Sequence, residues 1–325
     1  MASLAEIRAK LLEKEQKSTG GYQSDNAIYA FWNIPENTTA TLRFLPDADE
    51  SNTFFWKERQ MIRLSFPGIK GQDESRSVTV QVPCVEMWGD ACPVHAEIRP
   101  WFKDPSLEDE GRKYWKKRSY IFQGFVTDNP MQDDKTPENP IRRFVINPSI
   151  FKIISSSLMD PDFSEIPTDY EAGTDFKLTK TQKGQYADYS TSNWSRRERS
   201  LDQTERDAIQ ANGLFTLNDF MPKRPNNEEI GIIFEMFEAS VAGELYDPER
   251  FGSYYTPQGV QLNNSPAPRA PQPVVTQTAT TEPVAEAATP TEEKVVETET
   301  NTADEKPSAD QILKMIRDRK SHADH

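Results

Sequence analysis

The sequence has few cysteines, the residues whose disulfides stabilise secreted proteins, and it has no apolar run long enough to span a membrane. Among 325 residues there are two cysteines, too few for a disulfide framework. No run of about 18 apolar residues occurs, and the first 21 residues mix charges with leucines instead of forming an apolar leader. We therefore predict a cytoplasmic protein with no membrane partner.

Sequence signatures of common catalytic centres are also missing. There is no G-x-x-x-x-G-K-[ST] phosphate loop, no H-E-x-x-H and no G-x-S-x-G. A metal-dependent nuclease would have to use the acids of one Pro- and Asn-rich loop, which are Asp128, Asp133, Asp134 and Glu138. We interpret these acids as solvated loop charge and expect a protein that is not an enzyme.

The ends of the chain differ in composition from its middle. Residues 259–307 hold Pro, Thr, Ala and Glu but no aromatic residue, which predicts a disordered acidic linker. Residues 308–325 regain helical spacing at Ile312, Leu313 and Ile316, which predicts a short amphipathic helix. The remaining residues, 22–258, have a globular composition.

The first 21 residues form a separate arm in this prediction. Leu4, Ile7, Leu11 and Leu12 fall at helical spacing among cations, and Gly20-Gly21 ends the pattern. Such a helix either packs on its own domain or docks on another copy of the protein. The sequence leaves both interpretations open.

Short β-prone segments bounded by Gly, Pro, Asn or Asp dominate the first two thirds of 22–258. They lie at 39–45, 54–66, 77–82, 119–127, 141–146, 175–181 and 185–190. Two helices are predicted, one after the Asn147-Pro148 pair and one from Asn226 or Asn227 to Gly243. The fold class is therefore α+β and mainly β, with a small barrel or sandwich and helical additions.

Positive charge recurs beside aromatic rings, although the net charge is −14. An unpaired nucleic-acid strand needs cations for its phosphates and flat rings for its bases. A stacked base contributes roughly 1–3 kcal/mol and an exposed ion pair about 0–1 kcal/mol, so the rings identify the ligand class. The ordinary alternative, solvated cations and core rings, is weakened by four such clusters in so acidic a chain. The predicted contacts are Arg112, Lys113, Tyr114, Trp115, Lys116, Lys117, Arg118, Tyr120, Arg142, Arg143, Lys177, Lys180, Lys183, Tyr186, Tyr189, Trp194, Arg196 and Arg197.

Three soft metal ligands lie within 12 residues of one another, at Cys84, Cys92 and His95. The C-x-x-H pair is a common half of a zinc site. Zinc prefers four ligands, so a closed site would take its fourth from water or from a carboxylate such as Asp90, Asp73 or Glu74. Two ordinary thiols and a histidine without metal are the alternative.

The order of these motifs resembles the T4-type bacteriophage single-stranded DNA-binding, or helix-destabilising, proteins. ATLRFLP at 40–46 is similar to a core strand of that family, and Cys84 followed by CPVH at 92–95 is similar to its zinc segment. KKRSY at 116–120 and TDFKLTKTQKGQYADYS at 174–190 are similar to its DNA-contacting strand and late hairpin. The resemblance covers residues 22–200 and extends more loosely to 245.

The resemblance implies an OB-fold-like barrel core with a zinc subdomain at about 60–100. It also implies cooperative coating of single-stranded DNA, without sequence specificity, in phage replication, recombination and repair, within the host cytoplasm. The arm would then mediate self-association, and the acidic tail would recruit replication and recombination proteins. The sequence departs from the family at its metal ligands: His95 replaces a cysteine, and Phe66-Pro67-Gly68 stands where a histidine is expected.

A protein-interaction scaffold with a recruiting tail and no nucleic-acid ligand is the competing interpretation. The disordered linker and the terminal helix would serve either function equally well. The two interpretations differ in whether the cations and rings share an accessible surface.

Overall fold

A computed structural model describes residues 27–131, 137–161, 163, 166–260 and 312. The predictions for the N-terminal arm at 1–21 lie outside the described residues. So do those for the acidic linker beyond residue 260. Of the predicted C-terminal helix only Ile312 is described, and it is helical and buried.

The described strands and helices follow one another in an irregular order. The strands are β1 (Thr38–Leu45), β2 (Lys57–Phe66), β3 (Val78–Pro83), β4 (Lys117–Asp128), β5 (Arg142–Ile146), β6 (Thr174–Lys183), β7 (Tyr186–Asp188) and β8 (Asn193–Glu198). The α-helices are α1 (Pro93–Ile98), α2 (Glu108–Tyr114), α3 (Pro148–Leu158), α4 (Gln203–Asn212), α5 (Asn227–Val241) and α6 (Pro248–Phe251). Short 3-10 helices lie at Phe31–Asn33, Val85–Trp88, Arg99–Lys103 and Leu217–Phe220.

The strands form one eight-stranded antiparallel sheet, which confirms the mixed, mainly β class. Its main path runs β3-β2-β4-β1-β6-β7, with β5 on β4 and β8 on β6. One edge of the long β4 pairs with β2 through residues 117–121 and with β1 through residues 123–128. The two ends of the path, β3 and β7, do not pair with each other in the described part of the chain. The sheet is therefore not closed into the predicted barrel.

The chain divides into two compact units. Of the described residues, the first unit takes those within 27–62, 82–92 and 116–226, and the second takes those within 63–81, 93–115 and 227–260, with Ile312. The first unit holds β1, β4 to β8, α3 and α4, and the second holds α1, α2, α5 and α6.

Strand alternation gives the sheet of the first unit two distinct faces. Its inner face carries the main aromatic core, which includes Phe44, Phe122, Phe144 and Phe176. Its outer face carries a smaller core of Leu45, Phe125, Ile141 and Leu201, against which residues of α4 pack. Directly paired residues of antiparallel strands point to the same face. The pairing register therefore assigns each directly paired residue to one of the two faces.

Local sequence explains where the helices of the first unit begin. Asn147 caps α3, because its side chain accepts a hydrogen bond from the amide of Ile150, and Pro148 follows at the first turn. Asp202 and Glu205 form a capping box at the start of α4. The α3 prediction is thus confirmed, while α4 was not predicted.

The second unit packs its helices around aromatic rings. The rings of Trp101 and Tyr114 lie 5.9 and 5.1 Å from that of Phe237 in α5. Helix α5 confirms the predicted helix that begins near Asn227, and Gly243 follows it with a positive φ of 69°. Among the described helices, none is both long enough and apolar enough to cross a membrane.

Candidate nucleic-acid interface

The faces of the sheet separate the predicted contacts into two groups. Four cations occupy outer-face positions. Arg143 pairs directly with Gln123 and Lys177 with Thr41, while Lys117 and Lys183 follow by alternation along β4 and β6. Arg118, Tyr120, Arg142, Lys180 and Trp194 occupy inner-face positions. The first group therefore shares a surface that the second group does not.

Two cations that sequence analysis did not single out join this outer surface. Arg59 pairs directly with Ser119 and Lys57 pairs with Ile121, while Met61 pairs with Lys117. We call Lys57, Arg59 and Lys117 the basic flank. No acid occupies an outer-face position within residues 57–61 of β2 or 117–125 of β4. The basic flank is thus a patch of one charge sign within an acidic chain.

Arg59 is the most enclosed member of the basic flank. Its Nε donates a hydrogen bond of 3.2 Å to Oγ of Ser119, and burial lowers the pKa of its guanidinium. Lys117 is exposed and Lys57 is partly exposed. The two lysines are therefore the members best placed to meet a ligand in solvent.

A chain of aromatic rings leads from the inner face to the surface. Tyr120 stacks on Phe151 with centroids 3.5 Å apart, and Phe151 meets Trp56 at 5.4 Å. Trp56 in turn lies 4.7 Å from Phe54, whose side chain is 56% exposed. We call Tyr120, Phe151, Trp56 and Phe54 the aromatic strip. Its exposed end, Phe54, lies three residues before Lys57 in sequence.

The hairpin of β6 and β7 carries the most exposed predicted ring. Tyr186 is 80% exposed and pairs directly with Lys183. Lys180, further along β6, donates hydrogen bonds to the carbonyl oxygens of Trp32 and Ile34 at 2.7 and 3.0 Å. Lys180 therefore anchors the 32–34 segment, whereas Lys183 and Tyr186 remain at the surface.

Four of the predicted stacking rings are buried. Tyr114 is 1% exposed and its hydroxyl lies 3.1 Å from Oγ of Ser240. Burial raises the pKa of the Tyr114 hydroxyl to about 12. Tyr120, Tyr189 and Trp194 are 6 to 8% exposed and belong to the inner core. These rings have no open face for a base in this structure, so we leave them out of the proposed surface.

Trp115 is partly exposed, but it has a ring partner of its own. Its ring stacks on that of His95 with centroids 4.4 Å apart and planes 23° from parallel. Phe102 meets it edge-on at 5.2 Å. Trp115 thus supports a candidate metal ligand, a role that the spacing of the motif did not indicate.

Several predicted cations have acidic partners. Lys116 lies 2.6 Å from Glu86 and Arg118 lies 3.5 Å from Glu58. In α2, Lys113 pairs with Glu110 at 3.4 Å, and Arg112 pairs with Glu108. The α2 pairs are exposed and contribute little to stability.

The remaining predicted cations have mixed surroundings. The guanidinium of Arg142 lies over the ring of Tyr29 at 5.5 Å, and that of Arg143 lies over Phe220 at 4.1 Å. Lys177 is exposed on β6, and Arg196 and Arg197 are exposed on β8. Arg142 is buried, so we assign it to the packing of the fold and not to ligand binding.

The candidate metal ligands come together as predicted. Cys84, Cys92 and His95 are all buried, and their ligand atoms lie within 4.8 Å of one another. Both cysteines are free thiols, and a hydrogen bond to Cys92 together with burial raises the pKa of the Cys84 thiol. This cluster could hold a metal ion, because thiolate and imidazole groups are the preferred ligands of zinc.

The candidate carboxylates for a fourth position are engaged elsewhere. Asp90 pairs with Arg224 at 2.7 Å. Asp73 accepts a hydrogen bond from Ser75, and Glu74 accepts one from the amide of Gly71. None of the three belongs to the metal-capable group. The described residues thus provide three protein ligands for a metal, not four.

The acids considered for a nuclease do not form a metal-binding group. Asp128 and Glu138 are exposed, and neither belongs to a metal-capable cluster among the described residues. Asp133 and Asp134 lie outside the described residues.

Comparison with family models and with curated proteins found no match to this chain. Its function must therefore be argued from the site. The signal for the missed residues was present in the sequence: FFWKER at 54–59 places three rings directly before Lys57 and Arg59. Glu58 lies between Lys57 and Arg59, so the segment does not look basic in the sequence. On a strand, alternation places Glu58 on the face opposite to the two cations.

Proposed function

We propose that this protein binds single-stranded DNA without sequence specificity. The observation that supports this best is the basic flank of Lys57, Arg59 and Lys117 on one sheet face, with the exposed ring of Phe54 three residues before Lys57 in the same segment. Cations of one sign release counterions from phosphates, and an open ring accepts any base. Neither group distinguishes one base sequence from another.

The geometry favours an unpaired strand over a duplex. Phe54 presents its ring at a surface, where it can reach only a base that is free of its neighbours in the stack. Tyr186 on the β6–β7 hairpin offers a second exposed ring, with Lys183 directly paired to it. A duplex would present phosphates to the cations but no ring face to Phe54 or Tyr186.

The finer functions remain part of this proposal. They are an OB-fold relationship, cooperative coating, and roles in phage replication, recombination and repair through an N-terminal arm and an acidic tail. Their support is the resemblance of the sequence to T4-type helix-destabilising proteins. The antiparallel sheet is compatible with that relationship, although the described sheet is not closed into a barrel.

We also propose zinc as the ion held by Cys84, Cys92 and His95. Two thiolates and one imidazole form the donor set, with water completing the four-coordinate shell that zinc prefers. Zinc would join residues 84–95 into one rigid segment and would supply no chemical reaction in this function.

A fluorescence titration tests the proposed function. The full-length chain has six tryptophans, and Trp56 lies in the aromatic strip, so adding oligothymidylate should change the emission until the sites are filled. The same oligonucleotide in duplex form should bind more weakly at equal salt. No change in emission, together with no retention of labelled oligonucleotide on a filter, would rule out the proposal. Cleavage of the oligonucleotide in Mg²⁺ would instead indicate a nuclease.

A further inference from the structure

We propose that an apolar groove in the first unit holds one unpaired base of the bound strand, with the ring of Phe54 as its stacking surface. This inference depends on the single-stranded DNA binding proposed above. It assigns a specific subsite to that function, one that the predicted contacts did not include.

The groove lies between the segment before β2 and the end of α3. Its volume is about 460 Å³, within the range of small-ligand sites. Its lining consists of Thr53, Phe54, Phe55, Trp56, Ser155, Leu158, Met159, Phe163, Ile166 and Pro167. No charged side chain is among these residues, and their polar side-chain groups are the hydroxyls of Thr53 and Ser155 and the indole N–H of Trp56. Such a lining suits a flat, uncharged ring with a few polar edge atoms.

Three large apolar side chains of the groove are exposed. Phe54 is 56%, Met159 is 83% and Ile166 is 67% exposed. Isolated apolar residues on a surface need no explanation, but several in one concave site mark a binding surface. The groove therefore exposes apolar area that a ligand would cover.

The stacking ring has a firm support. Phe54 lies 4.7 Å from Trp56, with ring planes 30° apart. Trp56 is fixed by a stacked contact with Phe122 at 5.7 Å and an edge contact with Phe151 at 5.4 Å. A ring held in this way loses little freedom when a base stacks on it, which favours binding.

The charges beside the groove favour a nucleotide over an apolar peptide. Lys57 follows Trp56 in sequence and belongs to the basic flank, while Lys152 lies one helical turn before Ser155 and is exposed. A strand with its base in the groove would bring its phosphates toward Lys57. Asp160 follows Met159 in sequence and is exposed, so we expect the phosphates to pass on the side of Lys57 and Lys152, away from this acid.

The test compares two oligonucleotides of equal length and charge, one of thymidines and one of abasic sites. We expect wild-type full-length protein to bind the thymidine strand about tenfold more tightly or better, since bases add stacking to the phosphate contacts. Phe54→Ala should reduce this ratio by about fivefold or more. It should leave affinity for the abasic strand and its salt dependence unchanged. Phe54→Trp should restore the ratio.

The matched control is Tyr254→Ala, which removes a ring that is 37% exposed and lies outside the groove. This variant should keep the wild-type ratio. Thermal unfolding of each variant shows whether it is folded. If Phe54→Ala does not fold, Phe54→Trp serves as the folded variant for the comparison with wild type.

Failure of this inference differs from failure of the proposed function. If wild type and Phe54→Ala show the same ratio while both strands still bind, the base subsite is wrong and DNA binding stands. If wild type binds neither strand, the proposed function itself is wrong. If Phe54→Ala alters only the sedimentation of DNA-free protein, the groove is a contact between copies and the base subsite is again wrong.

Discussion

Nη2 of the buried Arg43 donates a hydrogen bond of 2.7 Å to the carbonyl oxygen of Asp169. The same nitrogen also donates to the carbonyl oxygen of Arg199 at 3.0 Å, and Nη1 lies 3.4 Å from Asp175. Burial lowers the pKa of the Arg43 guanidinium, and these partners offset part of that cost. The network therefore fixes the 169–175 segment against the outer face of the sheet in the first unit.

Gly173 is required by this network, so we expect Gly173→Ala to destabilise the protein. A Cβ atom there would lie 2.3 Å from the carbonyl oxygen of Asp169 and 2.4 Å from Nη2 of Arg43. The overlap should lower the free energy of unfolding by about 2–3 kcal/mol, measured by urea denaturation. Gly231→Ala is the control, because nothing lies within 4 Å of its added Cβ in α5. The control should be neutral or up to about 1 kcal/mol more stable, and equal losses in both variants would contradict the clash.

Asp169 gives the protein a pH-dependent contribution to stability. Its carboxylate accepts hydrogen bonds from the amides of Ala172 and Glu171, each at 2.7 Å, and these bonds hold its pKa below the ordinary value. The contribution is therefore complete above the unfolded-state pKa of about 4 and is lost as the pH falls through the lower folded-state pKa. Asp169→Asn should be less stable than wild type at pH ~7, and the difference should shrink by pH ~3. Urea midpoints at both values check this, and a constant difference would contradict it.

Strand alternation made part of this structure predictable from the sequence. The segment 175–181 was predicted as a strand, and in β6 Phe176 and Leu178 are buried while Lys177 is exposed, as alternation requires. The start of α3 followed from Asn147 and Pro148, because helix caps depend on neighbouring residues alone. These features depend on contacts that are local in the chain.

Features that depend on distant residues could not be predicted in this way. Tyr114 lies in a basic, aromatic stretch that suggests exposure, yet it is buried beside Ser240, which is 126 residues away. The basic flank was missed for the opposite reason. Arg59 and Lys117 are separated by 58 positions, and only the register of β2 on β4 places them on one face. Whether the sheet closes into a barrel likewise depends on which strands pair at its edges, and the edge strands β3 and β7 are distant in the sequence.

The metal-capable cluster predicts a defined metal content. Protein purified without chelator should carry about one zinc per chain, because a structural site retains its ion. Cys92→Ser should lose it, since only two ligands of the described group would remain. Elemental analysis measures both, and zinc below about a tenth of an equivalent in wild type would contradict the site.

Trp115 provides an independent readout of the same site. Because its ring stacks on His95 at 4.4 Å, adding Zn²⁺ to metal-free protein should change its fluorescence. Trp115→Phe should keep the zinc but lose most of that change. A full fluorescence response in Trp115→Phe would show that the signal arises elsewhere.

The basic flank predicts how binding depends on salt. Each phosphate that a cation neutralises on a single strand contributes about −0.7 to the slope of log affinity against log salt concentration. Lys57→Ala combined with Lys117→Ala should therefore make the slope for oligothymidylate less negative by roughly 1.4. Affinity should fall most at low salt, where counterion release contributes most. Lys103→Ala combined with Lys223→Ala is the control, since it removes two exposed cations that lie outside the strands. Isothermal or fluorescence titrations at four salt concentrations would give both slopes. If the flank variant kept the wild-type slope, or if the control changed it equally, these lysines would not be phosphate contacts and the DNA would have to follow another surface.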